Sequence, residues 1–512
     1  MSPDSLAPAA QTRTPGEFHS PSVHPAILRV ESNGNAVQKI GAIKITPQAR
    51  RYALWELARR AGVPRDMFRA WTIHHEPGGT LLETSTGKQI FFPTLSDDAL
   101  ARIASNQSRT VKRCWMYSPR EELKSVVPDF VVPFVGDSPL EAPLFTAVSH
   151  ERIECAVDLL LAVLLTLSRW EESVATDRDC HGRFQSKQSV ALKDGFLERP
   201  IVDEYGLAFE QVLTFLQPTW RPATRKLRAK ISHDADHVGI PFRGRNILKQ
   251  LAYCGPLKAW HELWAWLPEC EPADLCAIRE IVNVTRDHKL DSAVYWMSSA
   301  PSLQDSGYDP RHLKIQKVIG WLKAEGVECG VQPGYNTFRS PERLRREINL
   351  LREIFGDGPV GGRQHYLRWC PDTWIHWEMC GLAYDSTVAY ADHIGFRAGT
   401  CIPYQPWLLS LNRAADLLEI PLLVMDRTLL YYMGLNEETS VQAVRRCVQR
   451  CRQVGGVFTM VWHNNALLEP KYRSLYTKIL RELDGAESFD WKREFRPEID
   501  GFARKRVCVT GS

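Results

Sequence analysis

The chain has 512 residues, of which 44% are hydrophobic and 24% are charged, as expected for a soluble globular protein with more than one domain. The formal net charge is only +4, from 64 basic and 60 acidic residues, which argues against nucleic acid or an anionic membrane as a partner. The 13 cysteines form no C-x-x-C pair, and the first residues lack the apolar segment of a secretory signal. We therefore expect a cytoplasmic protein with free thiols.

The first part of the chain predicts a flexible tail followed by a small α+β domain over 36–225. Residues 1–35 are rich in Pro, Ser, Ala and Asn, a composition typical of a tail. The apolar run 155–167 is too short to span a bilayer and favours a buried helix, so we expect no membrane span. Periodicity and turn residues predict a helix capped by Thr46, two strands within 80–93, a helix over 152–170, an ordered loop over 177–200 and a helix over 199–216.

From residue 226 onwards, short β-rich runs alternate with amphipathic helices. This alternation predicts a parallel sheet or barrel over 226–500, in which polar residues at the carboxyl ends of the strands form the site. A helical insertion is expected at 242–290. The strands are expected at 227–235, 292–299, 327–334, 359–369, 383–390, 421–428 and 457–465, with helices at 311–326, 340–356, 371–381 and 439–456.

Two aspartates and a histidine at these strand ends are candidates for acid–base chemistry. Asp234 and Asp236 are two positions apart on a strand, so both side chains are expected on one face. One carboxylate could act as a base while the other binds a metal, although a structural pair that caps backbone amides is the alternative. His463 could protonate a leaving group, or it could simply bond a backbone carbonyl at the edge of the core.

Two further side chains could position the candidate base, Asp234, and the candidate acid, His463. Asp426 could orient His463, or it could cap a helix or pair with Arg427. Arg363 could hold Asp234 ionised, or it could be a surface arginine. Other polar residues predicted at strand ends are Gln332, Asn336, His365 and Asp385.

Seven motifs follow one another along the chain: HDAD, VECGVQPGYNTF, GGRQHYLRW, GLAYDSTVAY, GFRAGTCIPY, MDRT and VWHN. Their order resembles that of the polysaccharide deacetylase superfamily, carbohydrate esterase family four. They are similar to the bacterial branch whose first motif is HDxD and whose second is GLHPSY. The preceding stretch resembles a domain of unknown function that accompanies this branch, so the resemblance covers roughly 40–500.

This resemblance implies a distorted (β/α) barrel, a divalent metal, usually zinc, and hydrolysis of an acetyl group from an acetylated sugar or glycan precursor. Such an enzyme is a hydrolase acting on C–N bonds other than peptide bonds. By the resemblance, Asp234 matches the general base, Asp236 the metal-binding acid, Arg363 the arginine beside the base, and His463 the acid. Asp385, Arg397 and Asp426 fall in family motifs without an assigned role.

One position departs from the family pattern. Gln332 stands where the second motif supplies a metal-binding histidine, and Asn336 matches the second ligand position. An amide oxygen is a weaker zinc ligand than imidazole. The site could therefore bind metal loosely, recruit His365 or His233, or have lost metal. Two functions stay open: a metal-dependent deacetylase, and a non-catalytic carbohydrate-binding or regulatory protein.

Overall fold

The computed structural model describes residues 38–40, 43–105, 112–114, 129–135, 143–222, 224–239, 271–356 and 358–494. The predicted tail and residues 242–270 of the predicted insertion lie outside the described residues. The described part is a mixture of helices and strands, which confirms the α/β class.

The first region contains a mixed sheet of five strands, which lie in the spatial order Thr72–Glu76, Gly79–Glu83, Gln89–Pro93, Arg152–Cys155 and Phe145–Ala147, and only the third and fourth of these are parallel. Thr46 caps the first helix through its side chain, as predicted. The strands are β1 (Gln38–Ile40), β2 (Ile43–Ile45), β3 (Thr72–Glu76), β4 (Gly79–Glu83), β5 (Gln89–Pro93), β6 (Lys112–Cys114), β7 (Phe130–Val132), β8 (Phe145–Ala147) and β9 (Arg152–Cys155). The helices are α1 (Pro47–Arg60), α2 (Arg65–Arg69), α3 (Asp97–Ala104), α4 (Leu159–Leu167), α5 (Trp170–Val174), α6 (Val190–Lys193) and α7 (Ile201–Leu216), with a 3-10 turn at Ser186–Gln188.

The predicted helix over 152–170 is wrong in its first part. Residues 152–155 alternate between half-buried and buried and form β9, which pairs with β5. The helix α4 begins only after Asp158, whose carboxylate accepts a hydrogen bond from the Leu161 backbone at 3.0 Å. Asp158 is therefore a helix cap rather than a residue inside a longer helix.

The second region is built on parallel strands in the order β12-β11-β10-β18-β17. Its strands are β10 (Arg228–Asp234), β11 (Ser292–Trp296), β12 (Glu328–Val331), β13 (Tyr384–Asp385), β14 (Trp407–Leu408), β15 (Arg413–Ala414), β16 (Leu418–Glu419), β17 (Val424–Met425), β18 (Val457–Val461) and β19 (Glu487–Ser488). Its helices are α8 (Ala273–Asp287), α9 (Leu313–Ala324), α10 (Pro341–Phe355), α11 (Pro371–Met379), α12 (Glu437–Val454), α13 (Pro470–Glu482) and α14 (Trp491–Glu494). Short turns of helix occupy His365–Leu367, Thr428–Tyr432 and Asn464–Leu468.

The predicted strand over 359–369 is reduced to one bridging residue. Gly362 forms parallel bridges to Val331 on one side and Asp385 on the other, which continues the row of strands to β13 and β16. A Cβ atom on Gly362 would lie 1.7 Å from the Val331 carbonyl oxygen, so this close approach requires glycine. Within the described residues no pairing joins β16 to β17, so the row is open and a closed barrel stays a prediction.

A buried ion pair and buried hydrogen bonds link the two regions. Arg397 donates to Glu172 at 2.8 and 2.5 Å, and all of these side chains are buried. Arg60 donates to Asp203 at 2.7 Å, and Thr400 shares the same carboxylate. Because unpaired buried charges are costly, these contacts fix one region against the other.

Candidate active site

A cavity of about 410 Å³ lies at the carboxyl ends of the parallel strands. It opens beside the last residue of β10 and the residues that follow β12, β17 and β18. The candidate residues that line it are Asp234, Asp236, Gln332, His365 and His463.

Asp234 and Arg363 form a buried ion pair at the floor of this cavity. Arg363 Nη1 lies 2.8 Å from Asp234 Oδ1, and both residues are at most 4% exposed. The remaining donors of the guanidinium bond Ser232 and Ser386. Burial raises the pKa of Asp234, and the Arg363 charge opposes that rise. Asp234 is therefore a carboxylate held in one orientation with a proton affinity above its ordinary value.

Asp236 lies two residues after β10 and is surrounded by three side chains. Gln332 Nε2 donates to Oδ1 at 2.7 Å, and His365 Nε2 lies 3.5 Å from the same oxygen. His463 Nε2 lies 3.3 Å from Oδ2. Burial opposes the ionisation of Asp236, but the two histidines outweigh it and hold its pKa well below the ordinary value.

Each of the two histidines is held from behind by a second carboxylate. His463 Nδ1 lies 2.6 Å from Asp426 Oδ1, and His365 Nδ1 lies 2.7 Å from Asp305 Oδ1. Burial disfavours the charged imidazoles, but the neighbouring carboxylates raise the pKa of His463 to about 9 and that of His365 to about 10. A carboxylate on Nδ1 fixes the ring and directs Nε2 into the cavity.

His365 sits on a strained turn. The next two residues, Tyr366 and Leu367, have φ values of 61° and 53°, in the left-handed region that costs non-glycine residues about 1–3 kcal/mol each. This turn ends the extended backbone after Arg363, which explains why the predicted strand is absent.

Several predicted residues lie elsewhere. Asn336 is exposed on the turn closed by the hydrogen bond from Thr337 N to Gly334 O, and it does not line the cavity. His233 faces the core, where it contacts the Trp462 carbonyl and Ser292, and burial lowers its pKa to about 4. The structure thus brings His365 to Asp236 but neither Asn336 nor His233.

Asp385 and Arg397 are buried outside the cavity. Asp385 accepts hydrogen bonds from Thr387, and its pKa is raised by burial to about 7. Arg397 pairs with Glu172, as described above. Both residues support the fold around the site rather than line it.

Sequence reasoning missed the cavity residues Arg183, Tyr431 and Tyr432, as well as Asp305 behind His365. Asp305 lies in the loop after β11, well beyond the strand end, so the rule that strand ends carry polar residues does not reach it. Arg183 lies in the predicted ordered loop, whose polar sequence gave no local signal for a site.

Asp236, His365 and Gln332 are the neighbouring side chains that could hold a divalent cation. No group of three or more His, Cys, Asp or Glu side chains in the described ranges is arranged to hold a metal. Asp236 and His365 offer a carboxylate and an imidazole, and Gln332 Oε1 is a buried acceptor without a hydrogen-bond partner among the described residues. Carboxylate, imidazole and amide oxygen together suit a divalent ion, with less preference for zinc than an all-nitrogen set.

Residues 76–218 match the model of a family of unknown function, DUF7033, which confirms a domain of unknown function ahead of the parallel strands. Similar solved structures include a "putative polysaccharide deacetylase from Mycobacterium smegmatis" (13% identity, 57% of this chain, 97% of that chain, TM-score 0.40). They also include "Puue Allantoinase" (13%, 55% and 92%, TM-score 0.38) and a "probable Polysaccharide deacetylase from Pseudomonas aeruginosa PAO1" (14%, 53% and 91%, TM-score 0.37). No curated protein sequence gives a match. These structures each align with slightly more than half of this chain.

Two further predictions concern the surroundings of the protein. Within the described ranges, no helix is long and apolar enough to cross a membrane. Cys447 and Cys451 are free thiols that are buried on one face of α12.

Proposed function

We propose that the protein is a hydrolase that removes an acetyl group from an acetylated sugar or glycan precursor. The observation that carries this proposal is the placement of Asp234 and His463 in one cavity, each fixed by an oppositely charged side chain. A supported carboxylate and a supported imidazole are the base and the acid that acyl-group hydrolysis requires.

Asp234 acts as the general base. Arg363 orients it at 2.8 Å, and its buried position raises its affinity for a proton above that of an exposed aspartate. It accepts a proton from the attacking water as the oxygen of that water bonds to the acetyl carbonyl carbon.

His463 acts as the general acid. Asp426 holds its Nδ1 and accepts a second hydrogen bond from the His463 backbone, so Nε2 presents its proton to the cavity. That proton passes to the leaving nitrogen or oxygen of the sugar when its bond to the carbonyl carbon breaks. The products are acetate and the free amine or hydroxyl.

Asp236, His365 and Gln332 would hold a divalent cation beside this pair. Such an ion, when bound, supplies Lewis-acid polarisation of the carbonyl and lowers the pKa of water. The carboxylate of Asp305 behind His365 is the support that metal-bound histidines usually have.

The test is acetate release from N-acetylated and O-acetylated sugars, with Mn²⁺, Zn²⁺ or Co²⁺ added in separate reactions. Asp234→Asn keeps the size of the side chain but removes the base, so we expect a loss of roughly 10²-fold or more in kcat. Arg446→Met is a control far from the cavity, because Arg446 is an exposed residue of α12 paired with Glu198. Equal rates for all three proteins would contradict the proposal.

The Gln332–Asp236 hydrogen bond favours a second candidate, a carbohydrate-binding protein without turnover. The amide N–H satisfies an oxygen that a metal would otherwise take. On this alternative, acetylated saccharides would bind in the cavity and release no acetate at saturating metal.

A further inference from the structure

Two tyrosines at the mouth of the cavity are unusually exposed. Tyr431 and Tyr432 are 58% and 48% exposed, and both line the cavity. They belong to the π-helical turn Thr428–Tyr432, which starts two residues after Asp426. Single π-helical turns occur often at functional sites. We call Tyr431, Tyr432 and the neighbouring Arg427 the rim.

The rim is held in place by one internal contact and by contacts from two other parts of the chain. Arg183 Nη2 donates to the Tyr432 hydroxyl at 3.2 Å, and its guanidinium lies 5.6 Å from the ring centre. Arg427 lies 5.1 Å from the ring centre of Tyr431, and its Nη2 donates to Asn465 Oδ1 at 3.2 Å. Exposed rings fixed in this way lose little freedom when a ligand packs on them.

Arg427 also differs from Arg183 and Arg363 because its guanidinium forms no ion pair among the described residues. Arg183 pairs with Asp179 at 2.7 Å, and Arg363 pairs with Asp234. Among the described residues, the guanidinium of Arg427 contacts only an amide oxygen and an aromatic ring, and no carboxylate. The nearby carboxylate of Asp426 attracts this guanidinium but is hydrogen-bonded to His463 and not to the guanidinium, so the Arg427 donors are open to an anionic ligand.

We propose that the rim binds a sugar residue with an anionic substituent, next to the acetylated position. This inference rests on the proposed function, since it names the class of saccharide that the same cavity accepts. The Tyr431 and Tyr432 rings would pack on the apolar face of the sugar ring, and Arg427 would pair with its carboxylate or phosphate. The substrate class is therefore an acidic acetylated saccharide or an acetylated sugar phosphate.

The experiment is a calorimetric binding measurement with two matched pairs of probes. One pair compares tetra-N-acetylchitotetraose with a tetrasaccharide of alternating glucuronic acid and N-acetylglucosamine, which tests a carboxylate. The other compares N-acetylglucosamine with N-acetylglucosamine 1-phosphate, which tests a phosphate. In at least one pair we expect the anionic probe to bind about tenfold more tightly, as one charge-assisted contact allows.

Variants assign that preference to the rim. Arg427→Met should abolish the preference for the anionic probe, measured as the ratio of the two affinities within a pair. Arg427→Lys keeps the charge and should keep part of the preference, which separates a lost charge from a misfolded rim. Tyr431→Ala should weaken both probes of a pair, and Arg446→Met should change neither.

Two results would overturn the inference: a wild-type protein without preference for the charged probe in either pair, or an Arg427→Met variant that retains the preference. The readout is binding and not acetate release. The anionic subsite and the hydrolase can therefore be contradicted independently of each other. A charged-probe preference that depends on Arg427, in a protein that releases no acetate, would remove the hydrolase and keep the anionic subsite.

Discussion

Arg183 donates a hydrogen bond from Nη1 to the backbone carbonyl oxygen of Tyr366 across 3.1 Å. The donor belongs to the segment that matches the family of unknown function, and the acceptor belongs to the strained turn that carries His365. The loop around Arg183 is itself fixed, because Asp179 accepts from the backbones of His181 and Arg183. The first region thus supplies a wall of the candidate active site.

We expect Arg183→Met to act through the position of His365. Activity should fall by roughly 10- to 100-fold, the range typical of lost supporting contacts around a metal or catalytic group. Metal affinity, measured by titration calorimetry, should fall with it, which a role limited to stability would not produce. Arg446→Met is the control, and unchanged metal affinity in Arg183→Met would contradict the positioning role.

Asp426→Asn should impair the acid step. The carboxylate fixes the tautomer of His463 at 2.6 Å, and an amide in its place can present the wrong group to Nδ1. We expect kcat to fall by roughly 10²- to 10⁴-fold with little change in KM. Asp490→Asn is the control, because it makes the same substitution at an exposed aspartate and should leave kcat unchanged. A variant with normal kcat would show that His463 needs no orienting carboxylate.

Gln332→His should tighten zinc binding, because a neutral imidazole is a better zinc donor than an amide oxygen. The change also removes the N–H that Gln332 donates to Asp236. We expect a gain in affinity of about 100-fold or more, beyond the range of supporting contacts. Asp236→Ala should abolish zinc binding with either residue at 332. Full zinc occupancy in the wild type, unchanged by the substitution, would mean that His365 and other donors already suffice.

Asp385 should make a contribution to stability that is lost as the pH rises from about 4 to about 7. Burial raises the pKa of this carboxyl to about 7, whereas an unfolded aspartate titrates near 4. The folded state keeps the proton longer, so the free energy of unfolding declines by up to about 1.4 kcal/mol per pH unit in that window.

Asp385→Asn should reduce this slope, since the amide keeps an acceptor for Thr387 and cannot ionise. Urea unfolding at pH 5 and pH 8 measures the difference. Some slope should remain, because burial raises the pKa of the neighbouring Glu419 in the variant as well. An identical pH dependence in the variant would show that Asp385 is ionised in the folded protein throughout this range.

The parts of the site that follow parallel strands could be predicted from the sequence. Asp234, Asp426 and His463 lie at or beside the ends of short apolar runs, and such runs bring their carboxyl ends to one edge of a sheet. The predicted and observed positions of these residues agree because local composition is enough to predict a short buried strand. Arg363 could be predicted for a different reason, since it follows two glycines that allow close strand approach.

The residues that sequence missed depend on distant contacts. Arg183 meets Tyr432 across 249 positions, and no local pattern encodes that separation. The segment after Arg363 contains no glycine or proline to signal a turn, yet Tyr366 and Leu367 adopt left-handed backbone. Motif spacing alone predicts Asn336 as a metal ligand, whereas the turn at Gly334–Thr337 directs its side chain to solvent.

The buried pair between Arg397 and Glu172 has a consequence for how this chain can change over generations. A recombination event that replaced the first region with an unrelated one would leave the guanidinium of Arg397 without its carboxylate, and removing one partner of a buried pair costs about 3–5 kcal/mol. The same event would delete Arg183 from the cavity wall. We therefore expect the two regions to be inherited together, as one evolutionary unit, and not exchanged as independent modules.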